Sequence, residues 1–183
     1  MNSLNGSEPS ECWADIGDLR VRYLDWGGQG KPAVLLHGLA SSANWYDLVS
    51  PHLRNHYRII SPDQRGHGQT TQAPDGYDWG TLTQDVLGLM DLLDIPKAAV
   101  FGHSWGATVA LNVAARAQDR VTALGLIDGG TSRGSGVKEN WEDVKARSRP
   151  RNISGTREEF LDRLRNQLSF CWSDQVERIV QTM

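Results

Sequence analysis

The sequence lacks the features that mark secreted and membrane-inserted chains. It has two cysteines, Cys12 and Cys171, which are too few for a disulfide framework. No run of apolar residues approaches the roughly 18 that a transmembrane helix needs. The first residues, MNSLNGSEPSECW, lack the basic start and the apolar stretch of a signal peptide. These absences predict a reduced, cytoplasmic setting and no membrane partner.

Positive charge is not in excess either. The 183 residues carry 19 Lys and Arg against 22 Asp and Glu, which gives a net charge of -3. Domains that bind nucleic acid need a strong basic patch, so we predict no nucleic-acid partner. We also predict no metal and no cofactor. The length suffices for one domain with a real core.

Short apolar runs alternate with helical patterns through the middle of the chain. The runs are PAVLLHG, YRIISPD, KAAVFG and VTALGLID. This alternation predicts an α/β fold with a mostly parallel, doubly wound sheet. The segment Leu19–Gly27 alternates like a half-buried strand, and the preceding CWADIG is a candidate hairpin partner. A capping-box pattern at Thr81 predicts the start of a long helix.

The chain changes character after Asp128. The next residues are polar and rich in glycine, and a second capping box at Thr156 opens a helical pattern. We therefore predict a disordered tail over residues 1–10, an α/β core over 11–133 and a helical lid or cap over 134–183.

One serine follows the apolar run KAAVFG, where the next helical pattern begins. Ser104 lies between Gly102 and Gly106 in the sequence GHSWG. A serine at such a turn projects its hydroxyl, and only small residues at the two glycine positions let strand and helix approach closely. The N-terminus of the helix offers N–H groups to an oxyanion. The pattern predicts Ser104 as a nucleophile.

An earlier loop completes the predicted oxyanion hole. His37, Gly38 and Leu39 follow the run PAVLL. The N–H groups of Leu39 and Trp105 are predicted to point at the same oxyanion, while His37 shapes the loop without doing chemistry. Trp45 and Trp105 indicate an aromatic-lined site that suits a hydrophobic acyl group.

Three motifs in this order resemble those of the α/β-hydrolase superfamily: His37-Gly38-Leu39, PDQRGHGQT and Gly102-His103-Ser104-Trp105-Gly106. The middle motif is similar to the D-x-R-G-x-G-x-S segment of the branch with small esterases, proline iminopeptidases, cofactor-free haloperoxidases and carbon–carbon bond hydrolases. The resemblance covers about residues 19–130. It implies that Asp63, Arg65 and His67 are structural and anchor the loop after a strand.

The resemblance also implies acyl chemistry, because haloalkane dehalogenases and epoxide hydrolases carry Asp at the elbow position that Ser104 occupies here. In this fold the triad runs nucleophile, acid, histidine along the chain. All five histidines precede Ser104, while Asp128 matches one of the family's two places for the acid. We therefore expect a chain truncated in the lid, without the last two strands and the catalytic histidine, and inactive alone.

The predicted function is a serine hydrolase that acts on a carboxylic ester or a similar small acyl substrate. One alternative is a non-catalytic binding module for small molecules. Another is carbon–carbon bond hydrolysis or perhydrolysis by the same residues. Asp128 is either the triad acid or a turn residue, and the oligomeric state is not predicted.

Overall fold

The computed structural model describes residues 8–129, 156–167, 169 and 172–181. Within these residues six strands form one sheet. The strands are β1 (Ser10–Ile16), β2 (Leu19–Gly27), β3 (Lys31–Leu36), β4 (Tyr57–Pro62), β5 (Ala98–His103) and β6 (Val121–Ile127). Ser10, which the sequence places in a disordered tail, is the first residue of β1 and lies opposite Asp25. Residues 1–7 of that tail lie outside the described residues.

The strand order is β1-β2-β4-β3-β5-β6. Strands β4, β3, β5 and β6 are parallel, while β1 and β2 form an antiparallel hairpin that joins the sheet at β4. The predicted α/β fold with a mostly parallel sheet is therefore confirmed. From β3 the chain moves to one side to form β4 and then to the other side to form β5. This reversal creates a topological switch point, where ligands bind in open α/β sheets.

Each connection between consecutive parallel strands contains a helix. The helices are α1 (Ser50–Leu53), α2 (Trp79–Leu92) and α3 (Trp105–Arg116), with 3₁₀ turns at Ala43–Tyr46 and Gln118–Arg120. The predicted capping box at Thr81 is wrong, because the cap of α2 is Asp78. The Asp78 carboxylate accepts the N–H groups of Gly80 and Thr81, and so satisfies donors that have no partner within the helix.

Two apolar layers follow from the alternation of side chains along the strands. Val34 and Leu36 of β3 face the layer that contains apolar residues of α2 and α3. Ala33 and Leu35 of the same strand face the opposite layer, which contains Tyr46. β3 lies in the middle of the sheet and is covered on both faces. Its carboxyl end is therefore accessible only from the edge of the sheet where the connecting loops meet.

Two helices make up the described part of a second compact unit: α4 (Arg157–Gln167) and α5 (Asp174–Gln181). The predicted capping box at Thr156 is confirmed, since Thr156 and Glu159 each accept the other's backbone N–H. The predicted boundary between residues 133 and 134 lies outside the described residues. No helix among the described residues combines the length and the apolarity needed to cross a bilayer.

Candidate active site

The candidate site lies at the carboxyl ends of β3 and β5. Leu36 and Gly102 are partners in the parallel register of these two strands. The residues that follow each strand therefore emerge side by side, at the switch point of the sheet. This register explains how His37 and Gly38 come to lie beside His103 and Ser104, although more than 60 residues separate them.

Ser104 has the strained backbone that a nucleophile elbow requires. Its φ is +51° and its ψ is -113°, a conformation that residues with side chains rarely adopt. A Cβ on Gly102 would lie 2.1 Å from the Gly106 oxygen, and one on Gly106 would lie 2.3 Å from the Leu36 oxygen. Both glycines are therefore required for the approach of α3 to the sheet.

The end of β6 supports the elbow from the other side. The Ser104 N–H donates to the Ile127 oxygen at 2.8 Å, and a Cβ on Gly129 would lie 2.5 Å from the Ser104 oxygen. Asp128, between these two contacts, is exposed and has a φ of +50°. The predicted acid thus lies in the segment that touches the elbow backbone.

The loop after β3 also reaches the elbow. A Cβ on Gly38 would lie 3.4 Å from the Ser104 Cβ and 2.8 Å from the His103 Nδ1. Leu39 follows directly and its side chain is exposed. Trp105 is the first residue of α3, a position whose N–H has no acceptor within a helix. The two predicted oxyanion donors therefore belong to segments that both adjoin Ser104.

His37 is locked into a single neutral form. The Gln64 N–H donates to its Nε2 at 3.0 Å, which leaves the proton on Nδ1, and Nδ1 donates to the Gly38 oxygen at 2.8 Å. The Gln64 side chain in turn donates to the His37 oxygen at 2.6 Å. Burial lowers the pKa of His37 from 6.5 to about 4. These contacts support the predicted loop-shaping role of His37.

The depressed pKa of His37 predicts acid-sensitive stability. The unfolded chain takes up this proton near pH 6.5 and the folded chain only near pH 4. The contribution is therefore complete above pH 6.5 and is lost as the pH falls toward 4. Between pH 7 and 4 we expect the free energy of unfolding to fall by up to about 3 kcal/mol from this group.

Urea titrations of the wild type and of His37→Gln at several pH values measure this slope. The variant should lose that part of the pH dependence, whereas His52→Gln, at an exposed position, should keep it. An unchanged slope in His37→Gln would contradict the assignment.

Aromatic and imidazole rings surround the elbow. Trp45 stacks on His103, with ring centroids 4.9 Å apart and planes 15° apart. His67 lies 5.2 Å from Trp105 and Trp79 lies 6.5 Å from the same ring, measured between centroids. Trp45 and Trp105, which the sequence predicts to line the site, thus lie against or at the two neighbours of Ser104, and their role as a lining stays a prediction.

Sequence reasoning did not find Trp79 or Gln64. Trp79 lies at the start of α2 and Gln64 in the loop after β4, and no local pattern links either residue to the elbow. The PDQRGHGQT motif was the only available signal for Gln64. Its Asp63, as predicted, anchors a loop: Asp63 accepts N–H groups from Ala43 and Gln69.

Comparisons with known proteins agree with the fold. The family model for the alpha/beta hydrolase fold matches residues 31–182. A dihydrolipoyllysine-residue acetyltransferase component of an acetoin cleaving system from Pseudomonas putida is 40% identical over 65% of this chain and 32% of its own length. A bifunctional esterase/perhydrolase from Acinetobacter calcoaceticus is 34% identical over 81% of this chain and 50% of its own length.

Solved structures give the same result. The crystal structure of epoxide hydrolase A from Mycobacterium thermoresistibile is 37% identical, with a TM-score of 0.61 over 64% of this chain and 38% of that one. The chain spans 32% and 50% of the lengths of the two curated relatives above. With the family model matched over most of the sequence and a strand order that places a serine elbow at the switch point, the chain belongs to the alpha/beta hydrolase family.

Proposed function

We propose that the protein is a serine hydrolase that acts on a carboxylic ester or a similar acyl substrate. The observation that carries this proposal is the strained backbone of Ser104 between two obligatory glycines. The Ser104 oxygen attacks the carbonyl carbon while its proton passes to a base. The N–H groups of Leu39 and Trp105 stabilise the resulting oxyanion, the alcohol leaves with a proton, and water then releases the acid.

Asp128 is the proposed triad acid. Its place after β6, between the residues that touch the Ser104 backbone, supports this role. Such an acid orients a histidine and stabilises the imidazolium that forms during catalysis. In the alternative, Asp128 only shapes the turn.

We propose that none of these 183 residues serves as the base for Ser104. All five histidines precede Ser104, and both ring nitrogens of His37 are hydrogen bonded in a buried site. We therefore propose that the chain alone does not turn over esters, because a serine hydroxyl is a poor nucleophile without a base.

Perhydrolysis is a second candidate, favoured by the name of the Acinetobacter relative, an esterase/perhydrolase. It would use the same acyl-enzyme, with peroxide in place of water. Epoxide hydrolysis is less favoured. The matching epoxide hydrolase shows that the fold is shared, but the resemblance places Asp at the elbow of those enzymes, where this chain has Ser104.

Chemical rescue tests the nucleophile in the chain as it exists. Imidazole added as an external base should accelerate fluorophosphonate labelling of Ser104 by roughly tenfold or more, since a positioned base contributes even larger factors. Intact mass and peptide mapping measure the extent and the position of labelling. Ser104→Ala should not be labelled, whereas Ser10→Ala, at an exposed site on β1, should label normally.

Four outcomes separate the alternatives. Labelling confined to Ser104 supports the hydrolase, and a slower rescued rate in Asp128→Asn supports the acid. Absence of labelling with imidazole present would favour the non-catalytic binding module. Rapid labelling without imidazole would show that one of the five histidines serves as base, and the proposed inactivity of the chain would be wrong.

A further inference from the structure

Two half-exposed tryptophans flank the proposed nucleophile. Trp45 is 42% exposed and Trp79 is 41% exposed. Trp45 stacks on His103, the residue before Ser104, and Trp79 packs on Trp105, the residue after it. The exposed side chain of Leu39 lies on the loop that also adjoins Ser104, so three large apolar side chains are exposed around one serine, and such clusters mark ligand-binding surfaces.

Both tryptophans are held on ordered backbone. Trp45 lies in the 3₁₀ turn Ala43–Tyr46, whose first N–H donates to the buried Asp63 carboxylate at 2.6 Å. Trp79 is the first residue of α2, directly after the capping residue Asp78. Each indole therefore offers a preformed face, and little conformational entropy is lost when a ligand packs against it.

Two arginines beside the loops that carry these rings are already paired: Arg22 contacts Asn44 in the turn of Trp45, and Arg65 lies two residues before His67. Arg22 contacts Asp63 at 3.0 Å, and Arg65 forms two hydrogen bonds of 2.8 Å with Asp85. Because these guanidinium groups have carboxylate partners, they do not favour an anionic ligand. The described surroundings of Ser104 thus suit a neutral ligand with a flat apolar group.

We propose that Trp45 and Trp79 are specificity-determining residues that select neutral esters carrying a planar aryl group. Aryl rings gain offset-stacked or edge-to-face contacts with indole that a saturated ring of similar size cannot make. The inference rests on the proposed function only in taking Ser104 as the reacting centre. Ligand binding itself needs no chemistry, so the two proposals can fail separately.

A matched pair of ligands tests this selectivity on the Ser104→Ala chain, which cannot react. Methyl benzoate and methyl cyclohexanecarboxylate have the same number of heavy atoms, and the saturated ring has more apolar surface, so burial alone favours the cyclohexane ester. We expect methyl benzoate to bind about tenfold more tightly, by calorimetry or ligand-observed NMR. Benzoate, the anion, should bind more weakly than its methyl ester.

Variants assign the preference to the two indoles. Trp45→Leu and Trp79→Leu, each added to Ser104→Ala, should each lower the aryl preference several-fold, whereas Trp45→Phe and Trp79→Phe should retain most of it. The control is Trp13→Leu on β1, because Trp13 has a similar exposure of 39% and contacts Arg20 instead.

Two outcomes would overturn the proposed aryl selectivity. In the first, the Ser104→Ala chain with both tryptophans binds the two esters equally, which would show that there is no aryl selectivity. An aryl preference that survives in both leucine variants would assign it elsewhere. Should one leucine variant fail to fold by circular dichroism, the ester ratio measured with both tryptophans present and the other leucine variant still decide. Failure of Ser104 labelling with intact aryl selectivity would reject the hydrolase and keep the binding surface.

Discussion

Gly106→Ala is expected to lower the free energy of unfolding by about 3 kcal/mol or more, the upper end of what overpacking costs. The added Cβ would lie 2.3 Å from the Leu36 oxygen and 2.4 Å from the His37 oxygen. Both atoms belong to the backbone at the end of β3 and cannot rotate away. The better helix propensity of alanine, about 1 kcal/mol, is too small to offset this clash.

Urea denaturation measures the loss, with Gly88→Ala as the control. Gly88 also lies inside a helix, α2, and its added Cβ would lie 2.7 Å from the Ile16 Cγ2, a side-chain methyl that can shift with its residue, whereas the atoms that crowd Gly106 belong to backbone. We therefore expect Gly88→Ala to lose less stability than Gly106→Ala. If the two variants differed by less than about 1 kcal/mol, α3 would have room to move and the steric account of the elbow would be wrong.

The glycines of the elbow show which parts of the site were predictable. Strand-to-helix contact at Gly102 and Gly106 is a local steric requirement, so the pentapeptide GHSWG, read together with the apolar run before it and the helical pattern after it, predicted the conformation of Ser104. The bounds of β2, Leu19–Gly27, were likewise predicted correctly, but the half-burial predicted from its alternation is wrong, because Arg22, Leu24 and Trp26 on its second face are buried as well. Local physics acts over a few residues, and sequence reasoning works at that range.

Competing local signals explain the error at α2. Thr81 begins a capping-box pattern, but Asp78, three residues earlier, also caps well. In the structure the Thr81 hydroxyl donates to the Asp78 carboxylate at 2.6 Å, so the two candidates cooperate and the helix begins at Trp79. The shift brings Trp79 into the first turn, where it packs on Trp105.

Long-range partners were not predictable in the same way. Gln64 contacts His37, and Trp79 contacts Trp105, only because the strand order β4-β3-β5 places their loops at the same edge of the sheet. The alternation of strands and helices predicted parallel pairing but not which loops would meet. The position of Trp79 beside the predicted rings Trp45 and Trp105 therefore emerged only from the structure.

Asp63 connects two of these loops, and its loss should have the second large effect. Its fully buried carboxylate accepts the N–H groups of Ala43 at 2.6 Å and Gln69 at 2.9 Å, and it pairs with Arg22 at 3.0 Å. Asp63→Asn keeps the volume but directs an amide N–H₂ at donors, and it leaves the buried Arg22 with one carboxylate partner, the half-exposed Glu11. We expect a loss of about 3–5 kcal/mol, the range for breaking a buried ion pair.

Asp91→Asn provides the matched control for Asp63→Asn. Asp91 also pairs with an arginine, Arg120, at 2.6 Å, but 64% of its side chain is exposed. Solvent screens such a pair, so the control should cost less than about 1 kcal/mol. Equal losses in the two variants, measured by urea denaturation, would show that Asp63 contributes no more than a surface pair.

The Asp63 contacts also predict a change at the site itself. Ala43, whose N–H donates to the Asp63 carboxylate, is the first residue of the 3₁₀ turn that carries Trp45. Releasing this end of the turn should loosen the stack of Trp45 on His103, and the near-ultraviolet circular dichroism of the folded variant should weaken. Imidazole-rescued labelling of Ser104 should slow in Asp63→Asn and stay normal in Asp91→Asn. If Asp63→Asn is destabilised but its Ser104 is labelled at the normal rate, Asp63 contributes to stability and does not position the groups around Ser104.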